Sequence, residues 1–435
     1  MVRFGYIIIG IALVLILCGS VLAAERFPPP EFETGHEFPD TTVPQPNPGI
    51  YDYIDSIVLL GALCFASYLV FRKRSRRAIF ALTVFSLLYF GFYREGCICP
   101  IGAIQNVTMS FFDPGYAVPV VVLIFFLLPL VFTLFFGRTF CSSVCPLGAK
   151  QEMVMLKPVS VPQWLESGLR IFAYLYLGLA VLFAATGSAF VICRYDPFVA
   201  FFRLSGNANL LIYGACFLIV GIFIGRPYCR FLCPYGIILR QLSRISKWRV
   251  TITPDDCIKC RLCEQSCPFE AVKKPTEQWT KTHYISSKKW LALFLTVLPV
   301  LIIIGGWAGS SVKNTLAGMH PTIRLAERVR LEETGEVEGT TDASDAFRAT
   351  GVENADLYED ASNIRKKFGI GGWILGCFMG LVIGLKLIAL SVWRQRPDYE
   401  ADKAGCFACG RCFEFCPMEH RRRSKSSDLL ESASG

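Results

Sequence analysis

The chain has 435 residues, 53% of them hydrophobic and 18% charged, and a formal net charge of +9. The apolar residues are clustered in long runs, a composition typical of a polytopic membrane protein and not of a soluble globular domain. The basic residues lie mainly in short loops beside these runs, where the positive-inside bias accounts for them. The excess positive charge therefore does not indicate nucleic-acid binding.

The N-terminal residues 1–24 predict a signal peptide or an uncleaved N-terminal anchor. An arginine precedes an apolar stretch over residues 4–17, and small residues follow at 21–24. Residues 25–50 are rich in proline, which predicts an extended segment on the outer side of the membrane.

Seven apolar spans follow, near residues 53–71, 78–93, 117–137, 169–192, 208–225, 290–309 and 369–393. Most approach the ~20 residues that cross a hydrocarbon core ~30 Å thick as a helix. The basic stretch 72–77 follows the first span, so the positive-inside rule places it in the cytoplasm. Counting onward, residues 138–167, residues 226–289 and the C-terminal tail are also cytoplasmic. We predict a multi-pass protein of the bacterial cytoplasmic (inner) membrane.

Two cysteine runs share the spacing Cys-x2-Cys-x2-Cys-x3-Cys-Pro, which is that of a bacterial two-cluster ferredoxin. In that motif the fourth cysteine of each run ligates the cluster of the other run. The first predicted [4Fe–4S] cluster is held by Cys257, Cys260, Cys263 and Cys416. The second is held by Cys406, Cys409, Cys412 and Cys267. Structural zinc is disfavoured, because zinc sites usually use two separated cysteine pairs.

Both runs must share one compartment if their ligands cross, so an even number of spans must separate them. Two spans do, near 290–309 and 369–393. The predicted fold class is an α-helical polytopic membrane protein with a cytoplasmic ferredoxin-like α+β module, which a transmembrane hairpin splits in two. Its predicted parts are a transmembrane core (51–250), the first ferredoxin half (251–285), a helix (286–309), an outer loop (310–368), a helix (369–393), the second ferredoxin half (394–425) and a disordered tail (426–435).

The transmembrane core contains an internal repeat, in which four spans end in related motifs: Cys97-Ile98-Cys99-Pro100, Cys141-x3-Cys145-Pro146, Cys193-x2-Asp196-Pro197 and Cys229-x3-Cys233-Pro234. The topology puts the second and fourth motifs at the inner rim. Their thiolates form a complete ligand set for one further Fe–S cluster, namely Cys141, Cys145, Cys229 and Cys233. Proline suits the first helical position, and the opening N–H groups can then face an anionic cluster. The alternative is a set of helix-terminal turns with buried thiols.

The first and third motifs lie at the outer rim and predict an Fe–S centre of unusual ligation. They supply three thiolates, from Cys97, Cys99 and Cys193, and Asp196 is the candidate fourth ligand. An aspartate before proline is also common as a turn or cap residue, and cysteines on an oxidising face can form a disulfide. Both alternatives stay open at this point.

The cysteine motifs resemble those of the membrane polyferredoxin family that includes the NosR, NapH and CcoG proteins. The resemblance covers roughly residues 50–420 and is strongest in FCSSVCPLGAKQE, in YCRFLCPYGIILRQ and in the two ferredoxin runs. It implies a protein that passes electrons between the quinol pool or cytoplasmic donors and acceptors on the outer side. NosR-like members also carry an outer flavin-binding domain, for which the proline-rich segment is too short. A separate outer flavoprotein or cytochrome is therefore an expected partner, and a quinone is a further candidate.

The predicted function is a relay of single electrons to an outer-face redox partner, as an electron-transfer subunit of a membrane oxidoreductase. Haem is not expected, because the four histidines (His36, His283, His320 and His420) all lie outside the apolar spans. The two rims are ~30 Å apart, so the repeat helices must re-enter the membrane or another cofactor must bridge the gap. The alternative functions are a CcoG-like cupric reductase in metal-cofactor assembly and a non-redox scaffold with structural clusters.

Two further segments are candidates for surface contacts. Residues 236–249 alternate apolar and basic residues at helical spacing, which predicts a helix on the inner membrane surface. The outer loop 310–368 has a helical pattern near 323–331 and is the predicted surface for an outer partner.

Overall fold

The computed structural model describes residues 49–96, 99–203, 208–252, 257–276, 281–392 and 396–423. Several predictions lie outside the described residues, namely those on the signal peptide or anchor, on most of the proline-rich segment, on Cys97 and on the tail 426–435. Most of the described chain is helical, and its two short strands pair with each other.

The first half of the chain forms eleven helices in the described residues. Their bounds are α1 Gly49–Tyr68, α2 Arg76–Ser86, α3 Pro100–Phe112, α4 Val120–Phe136, α5 Pro146–Met153, α6 Gln163–Ala185, α7 Val191–Tyr195, α8 Val199–Arg203, α9 Ala208–Phe223, α10 Pro227–Phe231 and α11 Pro234–Arg244. There are also three π-helical segments in the described residues. Leu69–Lys73 extends α1, Leu87–Tyr93 extends α2, and Phe140–Val144 precedes α5.

The second half contains the strands and two long helices. Its elements are α12 Leu262–Gln265, β1 Val272–Lys273, α13 Lys281–Ser311, α14 Lys313–Ala317, α15 Pro321–Glu333, α16 Asp342–Ala349, α17 Asn354–Ser391, β2 Glu400–Ala401 and α18 Arg411–Glu414.

The predicted spans are helical, but their lengths differ. Within the described residues, the helices long and apolar enough to cross a membrane are Gly49–Lys73, Gln163–Ala185, Lys288–Ser311 and Asn354–Ser391. The predicted spans near 117–137 and 208–225 correspond to the shorter apolar helices α4 and α9. The span near 78–93 is α2 with its π-helical extension.

Two boundaries differ from the prediction. The span expected at 169–192 begins earlier, as α6, and the chain turns soon after it at Gly187, whose φ of +69° suits glycine. The expected loop 310–368 is largely helical, and α17 runs through its end into the last span. Ile323, Val329 and Leu357 form part of a small core within this region.

Two segments fold back into the helix bundle at one of its ends. After α4 the chain turns inward through α5 and closes on the end of α9, where Val159 N donates to Phe223 O (2.7 Å). After α9 it turns inward through α10 and α11 and closes on the end of α4, where Trp248 N donates to Phe135 O (2.8 Å). Both segments leave and return at the same end, and most of their side chains are buried. They are therefore re-entrant.

Three of the short helices begin at a Cys-Pro step. Cys99, Cys145 and Cys233 are the N-cap residues of α3, α5 and α11, and each is followed by a proline at the first helical position. Proline lacks an N–H, which would have no helical partner there, and its fixed φ suits a helix start. The motif therefore sets where each helix begins and places a cysteine at its N-terminus.

Helices α13 and α17 form an antiparallel hairpin that packs through glycines. A Cβ atom at Gly376 would overlap the carbonyl oxygen of Gly305, and one at Gly309 would overlap that of Gly372. Small residues let membrane helices approach closely in this way. The hairpin carries the chain from the first cysteine run to the second.

Candidate metal centres

The two cysteine runs pack against each other at the base of the α13–α17 hairpin. Strands β1 and β2 are antiparallel, with Val272 opposite Ala401 and Lys273 opposite Glu400. Asp402 N donates to Ala271 O (2.7 Å), which continues the pairing beyond the strands. The runs thus form one unit, although the whole hairpin separates them in sequence.

The first predicted ligand set lines one small pocket. The pocket is lined by Cys257, Cys260, Cys263 and Cys416, together with apolar and aromatic side chains such as Ile252 and Tyr399. Burial, together with the nearby Cys257 and Cys260, raises the pKa of the Cys263 thiol to about 11. The structure therefore brings three cysteines of one run together with the last cysteine of the other, in the predicted crossed arrangement.

The second predicted set is also assembled. Burial raises the pKa of the Cys406 thiol to about 12, and Cys409 and Cys267 lie within electrostatic reach of it. Cys412 interacts with the same three cysteines. Ala408 N donates to the Cys406 sulfur (3.4 Å). Because these thiols bind protons tightly, metal binding here must release protons.

A third set, called here the four-cysteine set, consists of Cys141, Cys145, Cys229 and Cys233. Cys145 lies within electrostatic reach of Cys141 and Cys229, and Cys233 lies within reach of the other three. The set comes from the two re-entrant segments. It is the set that the second and fourth motifs predict.

Hydrogen-bond donors point at the sulfurs of the four-cysteine set. Gln151 Nε2 donates to Cys229 Sγ (3.2 Å), and Gly236 N donates to Cys233 Sγ (3.2 Å). The guanidinium of Arg138 approaches Cys141 Sγ (3.7 Å). Such donors stabilise thiolates and raise the reduction potential of a ligated cluster.

The fourth set, called here the Cys/Asp set, has three members in the described residues, Cys99, Cys193 and Asp196. All three line one cavity of about 650 Å³, which Arg94 and Arg203 also line. Asp196 Oδ1 accepts a hydrogen bond from Phe198 N (2.8 Å), as expected of a turn residue. The cap and the ligand interpretations of Asp196 are therefore both compatible with the geometry.

The residue types of these sets suit an iron–sulfur cluster. In the described part of the chain, no group of three or more His, Cys, Asp or Glu side chains is close enough to hold one metal ion. A [4Fe–4S] cluster is wider than one ion, and each ligand binds a different iron, so its cysteines stand further apart. Cysteine quartets with N–H donors on their sulfurs match that requirement in composition and polarity.

The four-cysteine set and the Cys/Asp set are neighbours in the bundle. Leu147, two residues after Cys145, lines the cavity of the Cys/Asp set. Phe198 follows Asp196 by two residues, and Tyr228 directly precedes Cys229. The centroids of their rings are 5.4 Å apart. A layer of side chains therefore separates the sets. The two segments that fold back into the bundle have the course that the re-entrant alternative requires.

A buried glutamate joins the four-cysteine set to the second ferredoxin run. Glu152 has no exposed side-chain surface and pairs with Arg76 (2.5 Å), Arg411 (2.9 Å) and Arg226 (3.1 Å). Arg226 also donates to the carbonyl oxygen of Cys141. Arg76 Nη1 donates to the carbonyl oxygen of Cys409 (3.0 Å). We call this group the Glu152 junction.

Aromatic rings and cations occupy the space around this junction. The rings of Phe269 and Phe407, one from each ferredoxin run, are 4.7 Å apart. Arg138 lies 4.1 Å from the centre of the Phe407 ring, and Arg226 lies 5.7 Å from both rings. Glu152, Arg138 and Arg226 were not predicted from the sequence. The available signal was that each charge stands close to a Cys-x3-Cys-Pro motif.

Models of iron–sulfur domains match the chain. One model, described as a 4Fe–4S binding domain, matches twice, over residues 118–162 and 208–253. A second 4Fe–4S binding domain matches residues 250–273, which contain the first ferredoxin run. Each copy of the first match contains one apolar helix and one Cys-x3-Cys-Pro motif, which supports the internal repeat.

Curated relatives agree with these matches. The chain is 28% identical to the putative electron transport protein YccM of Escherichia coli, in an alignment that covers 39% of the present chain. It is 28% identical to NirI of Paracoccus denitrificans over 52% of its length, and 26% identical to the regulatory protein NosR of Pseudomonas aeruginosa over 50%. These matches support a membrane polyferredoxin-type family for the chain. The chain is thus an iron–sulfur electron-transfer protein with apolar helices that fit a membrane.

The relatives are covered only in part. The alignments span 52% of YccM, 36% of NirI and 33% of NosR. No solved structure matches the chain. The likeness to this family therefore rests on sequence alone, and the activities and partners of the whole relatives remain properties of those proteins.

Proposed function

We propose that this membrane polyferredoxin is a relay for single electrons, which links a cytoplasmic or quinone-linked donor to a redox partner on the outer side of a bacterial inner membrane. The eight ferredoxin cysteines would hold two [4Fe–4S] clusters, and the four-cysteine set a third. The Cys/Asp set, with Cys97, would hold an outer centre. A bound cluster of this kind accepts and releases one electron at a time.

The observation that carries the proposal is the order of the sets. The two ferredoxin sets share one folded unit, since β1 pairs with β2. The Glu152 junction attaches that unit to the four-cysteine set. Leu147 and the Phe198–Tyr228 contact then lead to the Cys/Asp set. Four candidate sets therefore follow one another with protein side chains packed between neighbours.

The surrounding residues prepare these positions for anionic groups and exclude water. Cys141, Cys145 and Cys233 are buried, so a group held there is shielded from bulk solvent. Arg138 and Arg226 place fixed positive charge beside the set, which favours the more negative, reduced state of whatever the cysteines hold.

The orientation is proposed from charge. The basic stretch 72–77 ends the first span, and Arg74 in that stretch donates to the carbonyl oxygens of Thr251 and Ile252 beside the first ferredoxin run. By the positive-inside rule, this contact supports a cytoplasmic location for the ferredoxin unit. The Cys/Asp cavity then faces the outer half of the membrane, where an outer flavoprotein, a cytochrome or a quinone is the proposed partner.

The test is the iron inventory of the protein purified without oxygen, combined with EPR during a redox titration. We expect three separate signals to disappear in Cys416→Ser, Cys145→Ser and Cys193→Ser. Cys64→Ser is the matched control, because Cys64 is an exposed cysteine outside all four sets. A wild-type protein with only two clusters would refute the membrane half of the relay. Clusters that no donor can reduce would favour a structural role.

A further inference from the structure

Six cationic side chains converge on one cavity of about 230 Å³ beside the ferredoxin unit. They are Arg240, Arg244, Arg249, Lys273, Arg396 and Lys403. They come from α11 and the residues after it, from β1 and from the two sides of β2. The cavity is thus built where the helix bundle meets both halves of the split module.

The positive charge of this cavity is largely uncompensated. Glu400 and Asp402 are the acidic lining residues, so six cations face two carboxylates and leave a surplus of four positive charges. One oxygen of Asp402 already accepts a hydrogen bond from Gly405 N (2.8 Å). Among the described residues, none of the six cations has an ion-pair partner, whereas the neighbouring Lys274 pairs with Glu264 (3.0 Å).

Like charges also surround the deepest of these cations. Burial, together with the nearby Arg170 and Arg138, lowers the pKa of Arg240 to about 9. An anion in the cavity would relieve this repulsion, since opposite charges a few ångströms apart favour each other's charged form. The cavity therefore has the concave shape and the charge of an anion-binding site.

The position of the cavity identifies the anion. Helix α17 ends at Ser391, a few residues before Arg396, and α4 ends at Phe136, whose ring stacks on Trp248 at 5.1 Å. Trp248 is 46% exposed, and Ile245 on the same stretch is 71% exposed. Exposed tryptophan and aliphatic side chains beside basic residues are typical of the headgroup level of a membrane. We propose that this cavity binds the phosphate of an anionic phospholipid headgroup.

A bound headgroup would also act on the ferredoxin unit. Ala404 lines the cavity, its carbonyl oxygen accepts from Arg138 (3.4 Å), and Cys406 N donates to Asp402 O (2.8 Å). The lining segment therefore leads directly into the second cysteine run. The headgroup phosphate would neutralise cations that come from both halves of the module. It would thereby reduce the repulsion between the two halves and hold them together. This inference does not depend on the relay function.

The experiment uses the full chain in nanodiscs or detergent with added phosphatidylglycerol, phosphatidylcholine or inorganic phosphate. Lipid retention is measured by native mass spectrometry, and the unfolding midpoint by a thermal melt. We expect phosphatidylglycerol alone to be retained and to raise the midpoint. In Arg244→Gln/Arg396→Gln the affinity for phosphatidylglycerol should fall about 30-fold, which corresponds to about 2 kcal/mol for two charges near the surface.

The matched control is Lys288→Gln/Lys289→Gln, which removes two cations at the start of another span that do not line the cavity. It should bind phosphatidylglycerol as the unmodified protein does. A second cavity variant, Arg249→Gln/Lys273→Gln, should repeat the loss if the first variant folds poorly. Equal binding of both lipids, an equal loss in the control, or stabilisation by inorganic phosphate alone would each overturn the proposal. The last outcome would assign the cavity to a soluble phosphate compound.

Discussion

The four-cysteine set and the Cys/Asp set come from the same repeated motif but differ in their surroundings. Both use residues that stand before a proline, Cys145 and Cys233 in one, Cys99 and Asp196 in the other. The four-cysteine set is largely buried and receives N–H donors on its sulfurs. The Cys/Asp set lines a cavity of about 650 Å³, and its Cys193 is exposed. One motif thus provides a closed internal site and an open site suited to exchange with a partner.

The largest expected effect comes from breaking the Glu152 junction, which only the closed site has. Glu152→Gln removes the buried charge that holds Arg76, Arg226 and Arg411, and loss of one partner of a buried pair costs about 3–5 kcal/mol. We expect a lower free energy of unfolding and loss of the EPR signal of the four-cysteine set. The signal of the Cys/Asp set should persist.

Glu419→Gln is the matched control for this prediction. Glu419 also has no exposed side-chain surface and also pairs with three arginines, Arg74, Arg422 and Arg423. It lies in the ferredoxin unit, however, so its loss should leave the signal of the four-cysteine set unchanged. If both variants alter the same signals, the junction has no special role in joining the two sites.

A smaller effect is expected from the cation beside the closed site. Arg138→Gln removes the guanidinium next to Cys141 Sγ, so the reduction potential of the four-cysteine set should fall. A loss of ~1.4 kcal/mol of charge stabilisation corresponds to roughly 60 mV for one electron. The measurement is a redox titration followed by EPR. Arg203 lines the Cys/Asp cavity, so Arg203→Gln should instead shift only the reduction potential of the Cys/Asp set. Identical shifts in both variants would contradict the separation of the sites.

The role of Asp196 can be decided with two substitutions. Asp196→Asn keeps an oxygen that can accept from Phe198 N, whereas Asp196→Ala removes it and should lower stability by about 1 kcal/mol, as for a lost cap. If Asp196 is a metal ligand, both variants should lose the iron of the Cys/Asp set. Full iron content in Asp196→Asn, measured by iron analysis, would leave Asp196 with the cap role alone.

The smallest effect is expected from Lys150, which lies between the four-cysteine set and the Cys/Asp set. Its ammonium lies 3.7 Å from the centre of the Phe201 ring and has no hydrogen-bond partner among the described residues. Lys150→Met keeps the packing against the ring and removes the charge. We expect a small fall in the reduction potentials of the four-cysteine set and the Cys/Asp set. This fall should be smaller than that in Arg138→Gln, and the unfolding midpoint should not change. A change in the reduction potential of only one set would show that the charge of Lys150 acts on that set alone.

Local sequence features predicted which cysteines the structure brings together. The spacing of Cys257 to Cys267 and of Cys406 to Cys416 fixes which sulfurs can converge, because a short run with a trailing proline has few conformations. The even number of spans between the runs then required them to meet on one side. The helix starts at Cys99, Cys145 and Cys233 also follow from the chain itself, since proline favours the first helical position.

Other features could not be predicted, because they depend on contacts between distant parts of the chain. The expected span 169–192 ends early, since the residues after Gly187 pack into the bundle instead of extending α6. Glu152 finds Arg76 and Arg411, which stand far from it in sequence, and no local pattern specifies such a meeting. The predicted inner-surface stretch 236–249 starts inside the bundle, because Ile237 and Leu239 are buried.

The sequence by itself determined the chemistry of this protein, namely which thiols form sets, where helices start and which family the chain resembles. Those properties depend on residue type and short spacing. The tertiary structure alone decided how close the sets lie, which charges surround them and where unpaired cations gather. Segments of similar apolar composition can cross a helix bundle or fold back into it, and here packing that pairs the buried Glu152 with the buried Arg226 joins the two segments that fold back.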